Sequence, residues 1–282
     1  MKNTPKTYKS TSCIMEPISL INDMINDFGK SIPLAWRLMK RDLNAKYRQT
    51  FFGYFWALIP PVVIAYGLVF AANAKVVNMG ATELPYPAYV MLSMVLWQTF
   101  LDSFNGPLSA VIESKSMLAK INFPRESIIL AKVGEVVFNF LIKLILIIFI
   151  FIAYDISATR MIFFAPFGVL SLIFLGTFLG LLIAPLGAIY QDVSKTIILI
   201  TTPWFLITPV LYSPPEKGFF SVIVRLNPVT DLLVTTREFI TTGMVSNLPG
   251  FLFLSIISVL GLLVTWIIFR LAMPFVIERM PS

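Results

Sequence analysis

Between Phe51 and Asn73 the chain carries no charged residue, and five further apolar stretches follow: Pro87–Val111, Ile128–Tyr154, Met161–Ile189, Thr196–Leu211 and Leu248–Met273. At about 1.5 Å of rise per residue, roughly 20 such residues cross a hydrocarbon layer. A chain inside that layer must satisfy its own backbone polar groups, and isolated apolar runs do so as helices. The pattern predicts an all-α polytopic membrane protein with six transmembrane helices. The fifth stretch is short, and the second is interrupted by Asp102, Asn105, Gly106 and Pro107.

Composition narrows the function classes. Hydrophobic residues make up 57% and charged residues 13%, where a soluble domain carries roughly 25% charge. The net charge of +7 is spread beside the apolar stretches, which argues against nucleic acid. With six spans and the amino terminus inside, sixteen Lys and Arg fall on the inner side. Five fall outside (Lys75, Arg160, Lys217, Arg225 and Arg237), and Lys143 lies within a span. The excess predicts that both termini are cytoplasmic. The chain has no histidine and one cysteine, Cys13. That removes the usual metal ligand, the usual proton shuttle and any intrachain disulfide. The first thirty residues are polar, without the apolar core of a cleavable signal. They predict a cytoplasmic tail, 1–30, with a short helix over Ile18–Phe28. Gly29-Lys30-Ser31 ends like a phosphate-binding loop, but Met24 stands where its first glycine belongs and no buried strand precedes it. No nucleotide or metal site is expected in this chain.

From residue 31 onward the sequence reads as one transmembrane domain. Its entrance, 31–50, is amphipathic. Trp36, Met39, Leu43 and Tyr47 share one helical face, while Arg37, Arg41, Asn44 and Arg48 share another. An apolar stripe beside a cationic one suits a helix lying in the headgroup layer. Between the second and third spans, 113–126 reads ESKSMLAKINFPRE. Ser114 or Ser116 is placed to cap a short helix, and Pro124 to end it. Met117, Leu118, Ile121 and Phe123 give it an apolar face, to be packed on its own bundle or docked in a partner's groove.

The third span carries Lys132, Glu135, Asn139 and Lys143 at three- and four-residue spacing. Ionisable groups at membrane depth cost several kcal/mol unless paired or facing water, so this stripe predicts either a structural polar seam or the lining of a pathway. Lys143 has no carboxylate three or four residues away. Over 212–247, Pro214-Pro215 and Asn227-Pro228 break the chain into two short apolar pieces. The second is expected over Thr230–Thr242, with Asn227 or Thr230 as cap and Gly243 as terminator. Apolar side chains such as Phe219 and Leu233 would be stranded in water on a loop, which favours two re-entrant helices on the outer face.

These features together resemble the transmembrane permease subunit of type-2 ATP-binding-cassette (ABC) polysaccharide exporters, which move O-antigen, capsule or teichoic-acid polymers. The matching residues are Arg41 to Thr50, Gly53-Tyr54-Phe55-Trp56-Ala57-Leu58, Pro60, Phe123-Pro124-Arg125-Glu126, Asp192-Val193 and Asn227-Pro228-Val229-Thr230. The resemblance implies a homodimer on two copies of a separate ABC ATPase, which binds ATP and Mg, in the bacterial inner membrane. It implies that the chain is a transport subunit and no enzyme. Its cargo would be a lipid-linked polysaccharide on an undecaprenyl diphosphate carrier. Residues 31–50 would be an interfacial gate helix, with Arg37, Lys40, Arg41 and Arg48 at the headgroup entrance. Ser116, Met117, Leu118, Ile121, Phe123 and Arg125 would form the ATPase coupling region, and Tyr212, Asn227 and Arg237 the outer gate. Tyr54, Trp56, Trp97, Phe100, Phe104, Glu135, Asn139 and Lys143 are the channel-lining candidates. A permease for teichoic acid, a drug or a small lipid, and an ATP-independent channel or flippase, are the alternatives.

Overall fold

The computed structural model describes residues 17–48, 53–73, 82, 84–121 and 123–279. The polar tail up to Glu16, the opening of the first expected span at Phe51 and Phe52, and Lys75 lie outside the described residues. Among the described residues every regular element is helical.

The first helix, α1 (Pro17–Arg48), runs unbroken for 32 residues, where the sequence predicted a short helix to Phe28 and a second from residue 31. Pro33 withholds one N–H and crowds the carbonyl of Gly29. Gly29 is exposed, so that carbonyl is open to its surroundings. The Ser31 hydroxyl donates to the Asp27 carbonyl at 2.7 Å. Side chains on both sides of Pro33, from Met24 to Tyr47, are buried, and this packing outweighs the proline penalty. Gly29-Lys30-Ser31 therefore lies inside a helix, with no loop to cradle a phosphate.

A short 3₁₀ turn, Gly53–Ala57, leads to α2 (Ile59–Asn73). Then come α3 (Tyr86–Glu113), α4 (Lys115–Lys120) and α5 (Glu126–Ala153). A second 3₁₀ turn, Arg160–Phe164, runs into α6 (Ala165–Ile189), followed by α7 (Gln191–Ile207). The chain ends with α8 (Phe219–Leu226), α9 (Pro228–Ile240) and α10 (Leu248–Arg279).

The core is built on α3 against α6, with α10 and α9 on the other sides of α6. Close approach depends on glycine: a Cβ at Gly176 would lie 2.7 Å from the Phe100 carbonyl oxygen, and one at Gly180 would collide with the Phe104 carbonyl. Small residues at such crossings let backbones meet where lipid supplies no hydrophobic drive. α1 lies along α5, and Gly134 makes room there for Met39.

By length and composition, three described stretches could each cross a membrane alone: Glu126–Ala153, Arg160–Ile189 and Leu248–Arg279. α8 and α9 meet at 82° and would count as a fourth if taken as one broken span. Asn227 makes that corner, its Oδ1 accepting from the Val229 N–H at 3.1 Å. α9 begins two residues earlier than expected because Pro228 occupies its first turn, where a missing N–H costs nothing. Gly243, at φ +71°, follows its end as anticipated. The two halves differ in burial. Leu232 and Leu233 of α9 are fully enclosed, while Phe219 and Leu226 of α8 face outward.

Candidate functional site

α1 presents two faces. Ala35, Leu38, Met39, Leu43 and Tyr47 are buried against the bundle. Trp36, expected on that face, points outward at 55% exposure, with the Lys40 ammonium 5.1 Å from its ring. Leu38 takes the inward position instead. Arg37, Lys40, Arg41 and Arg48 are all exposed, and Arg41 pairs with its neighbour Asp42 at 2.8 Å.

The last two turns of α1 cross the polar stripe of α5. Lys46 Nζ lies 2.9 Å from Glu135 Oε1, and the Tyr47 hydroxyl donates to Asn139 Oδ1 at 2.8 Å. Lys132 bridges Glu135 at 3.1 Å and Glu113, the last residue of α3, at 2.7 Å. One turn beyond Asn139, Lys143 reaches Asp102 of α3 at 3.2 Å. The stripe is thus paired along its length. Beside it lies a cavity of about 370 Å³ lined by Asp42, Lys46, Asp102, Glu113, Lys132 and Glu135, among others. Four carboxylates and two ammonium groups line it, and two of the carboxylates, Asp42 and Asp102, are paired with Arg41 and Lys143. Burial alone would favour a neutral Lys46, but the Glu135 hydrogen bond and charge outweigh it and hold that ammonium's pKa above its ordinary 10.5.

The channel-lining candidates fall into separate groups. Tyr54 lies against Tyr47, the rings tilted with centroids 4.4 Å apart, and meets Phe138 at 5.9 Å; it is half-exposed, as is Trp56. Trp97, Phe100 and Phe104 are buried, with Trp204 of α7 lying against all three rings at 5.3–6.4 Å. Glu135, Asn139 and Lys143 form the ionic seam.

The coupling candidates are also divided. Leu118 is buried against the bundle, Met117, Phe123 and Arg125 are half-buried, Ser116 is exposed, and Ile121 is 59% exposed. Ser114 occupies the cap position of α4 without a side-chain cap bond, and the helix stops at Lys120, before Pro124. At the opposite end of α3, the Tyr89 hydroxyl donates to the Tyr212 carbonyl at 2.6 Å. Asn227 accepts from Trp204 Nε1 and donates from Nδ2 to the Thr208 hydroxyl, each at 2.8 Å. Arg237, 6% exposed, donates to Ser93 Oγ at 2.9 Å and the Pro209 carbonyl at 3.1 Å. Its guanidinium lies 4.1 Å from the Tyr89 ring centre.

This arrangement, from Pro33 in α1 to Glu238 in α9, is the stretch matched by the family described as "ABC-2 type transporter", residues 33–238. The chain belongs to the ABC-2 type transporter family. It is 26% identical over 204 residues to an O-antigen export system permease protein RfbA of Myxococcus xanthus, covering 70% of this chain and 76% of that one. An O-antigen export system permease protein RfbA of Klebsiella pneumoniae is 24% identical over 246 residues, 85% of this chain and 90% of its own. Members of the ABC-2 family are membrane subunits whose ATPase is a separate subunit.

For an ABC-2 permease, the sequence reading left three site residues unassigned: Lys46, Asp102 and Glu113. Asp102 is a charge inside an apolar stretch, and Lys46 and Glu113 flank such stretches from outside. Their partners lie 41 to 89 residues away in the cases of Asp102 and Lys46, so helical spacing could not reveal them. Asp102 supplies the carboxylate that Lys143 lacks on its own helix.

Proposed function

We propose that this chain is the permease of an ATP-driven exporter that carries a lipid-linked polysaccharide, an O-antigen on an undecaprenyl diphosphate carrier, across the cytoplasmic membrane of a bacterium. In this reading the chain crosses six times with both termini inside and pairs with a second copy. It sits on two copies of a separate ATPase that holds the ATP and Mg. α4 and the residues to Arg125 meet that ATPase, and α8 with α9 closes the outer side. The permease itself breaks no covalent bond. Differential contacts of the ATPase in its nucleotide states shift the populations of open and closed forms.

The observation that carries this reading is the placement of α1. One face is anchored on the bundle, and Arg37, Lys40, Arg41 and Arg48 are displayed outward. Arginine's forked donors match the oxygens of a diphosphate. The neighbouring cavity, lined by paired carboxylates and ammonium groups, offers hydrogen bonds to uncharged sugar hydroxyls. The names of the relatives support the choice of cargo.

The test is gentle solubilisation of the tagged chain, identification of co-purifying proteins by mass spectrometry, and complementation of a cell lacking the permease. A stoichiometric P-loop ATPase and restored surface polysaccharide are expected. Arg37→Gln, Arg41→Gln and Arg48→Gln together should lower export at least about tenfold, the equivalent of roughly 1.4 kcal/mol, with the ATPase still bound. Export that persists without any ATPase would overturn the reading and favour a channel or flippase.

A further inference from the structure

The ion pairs beside the cavity form one continuous line from the start of α4 to the end of α1. Glu113, the last residue of α3, is separated from the first residue of α4, Lys115, by Ser114 alone. From Glu113 the line runs to Lys132 at 2.7 Å, to Glu135 at 3.1 Å and to Lys46 at 2.9 Å, two residues from the end of α1. Among the described residues no ion pair joins Lys46 to Glu113 directly. Side-chain exposure is graded along it: 53% at Glu113, 15% at Lys132, 10% at Glu135 and 51% at Lys46.

The grading separates a fixed part from two movable ones. Lys132 and Glu135 are three residues apart on α5, so that helix keeps their bases at a fixed separation. The end pairs join different helices, and the outer member of each, Glu113 or Lys46, is half-exposed and can exchange its partner for water at little cost.

We propose that Lys132 and Glu135 are positioning residues that transmit movement of α4 to the carboxyl-terminal end of α1. The proposal rests on the reading of α4 as the ATPase contact. The line alternates in sign and is neutral as a whole. When α4 draws Glu113 away, two ammonium groups are left on one carboxylate. Lys132 turns fully to Glu135, and Lys46 is held less tightly. The end of α1, where it enters the first span, is released. Coupling of this kind is reciprocal. An anionic headgroup that pulls Lys46 toward the surface of α1 leaves Glu135 to Lys132 and loosens Lys132 from Glu113, so cargo arrival is felt at α4.

The test uses the permease with its ATPase in vesicles and compares export per ATP hydrolysed for Glu113→Gln, Lys46→Gln and the double variant. Each single substitution should lower that ratio by roughly 5- to 150-fold, the usual span of coupling between two sites, with ATP hydrolysis and ATPase stoichiometry retained. The double should be no worse than the poorer single, because both cut the same line, and Lys46→Arg should restore the ratio. Effects that multiply in the double, or singles that behave as wild type, would overturn the proposal. So would a fall in melting temperature that accounts for the lost export, since the role would then be structural. Absence of an ATPase from the unmodified complex is a separate result, and it counts against the exporter reading itself.

Discussion

The two ends of α3 are held by different chemistry. Near Glu113 the contacts to α5 and α1 are ion pairs whose outer members, Glu113 and Lys46, are half-exposed, and a cavity lies beside them. Near Tyr89 the contacts to α9 and to the segment after α7 are hydrogen bonds, with Arg237 enclosed between Ser93, the Pro209 carbonyl and the Tyr89 ring. Long charged side chains at a water-filled boundary trade partners cheaply. An enclosed hydrogen-bond network cannot, because each group it loses stays desolvated. One end of the molecule is therefore built to rearrange and the other to hold its shape, and substitutions should separate stability from transport accordingly.

The largest effect on stability is expected at the enclosed end. Arg237→Met removes the charged donors to Ser93 and the Pro209 carbonyl together with the contact over the Tyr89 ring, at a cost of about 3 kcal/mol. Thermal unfolding in detergent should show it as a clear drop in melting temperature. A wild-type melting curve for this variant would mean that the enclosed end is no stiffer than the other. Asn227→Ala should follow at about 2 kcal/mol, since it loses the α9 cap along with the bonds to Trp204 and Thr208.

That contrast was only half legible in the sequence. The helices of the apolar stretches were readable because a long uncharged run has one way to satisfy its backbone. The cap at Asn227 and the terminator at Gly243 were readable because both act within a few residues of themselves. The polar stripe of α5 was readable as a stripe, but its meaning was not: the partners of Glu135 and Lys143 sit on α1 and α3, and local spacing carries no information about which helix lies alongside. For the same reason Trp36 was grouped on one apolar face with Met39, Leu43 and Tyr47. Periodicity fixes which residues share a face, whereas the neighbours decide which edge of a broad face is covered, and here Leu38 is buried while Trp36 is exposed. The aromatic residues Trp97, Phe100 and Phe104 looked suited to a sugar path, and the sequence could not foresee that Trp204 packs against them.

α4 gives a smaller and sharper test, because its apolar residues divide between the two behaviours. Leu118 is 7% exposed and Ile121 59%. Leu118→Ala should cost about 2 kcal/mol, as for other buried leucines, and would weaken any partner contact only by disturbing the bundle. Ile121→Glu should leave the unfolding free energy within about 0.5 kcal/mol of wild type, yet abolish recovery of the ATPase in a pull-down. Normal recovery with Ile121→Glu would remove α4 as the docking element.

The smallest expected effect concerns Lys46. Its side chain is half-exposed, so the bridge to Glu135 is worth at most about 1 kcal/mol after solvent screening. Glu135 holds the Lys46 pKa above 10.5 in the folded chain. A cation whose pKa is raised by folding contributes its full stabilisation below the unfolded value, and loses it as the pH climbs through the folded one. The difference in melting temperature between wild type and Lys46→Gln should therefore be flat from about pH 6 to 9 and shrink only above 10.5. A difference that instead closed near neutral pH would mean that Lys46 loses its charge there. The end of α1 would then be released by pH alone, and the line of ion pairs would not be the element that holds it.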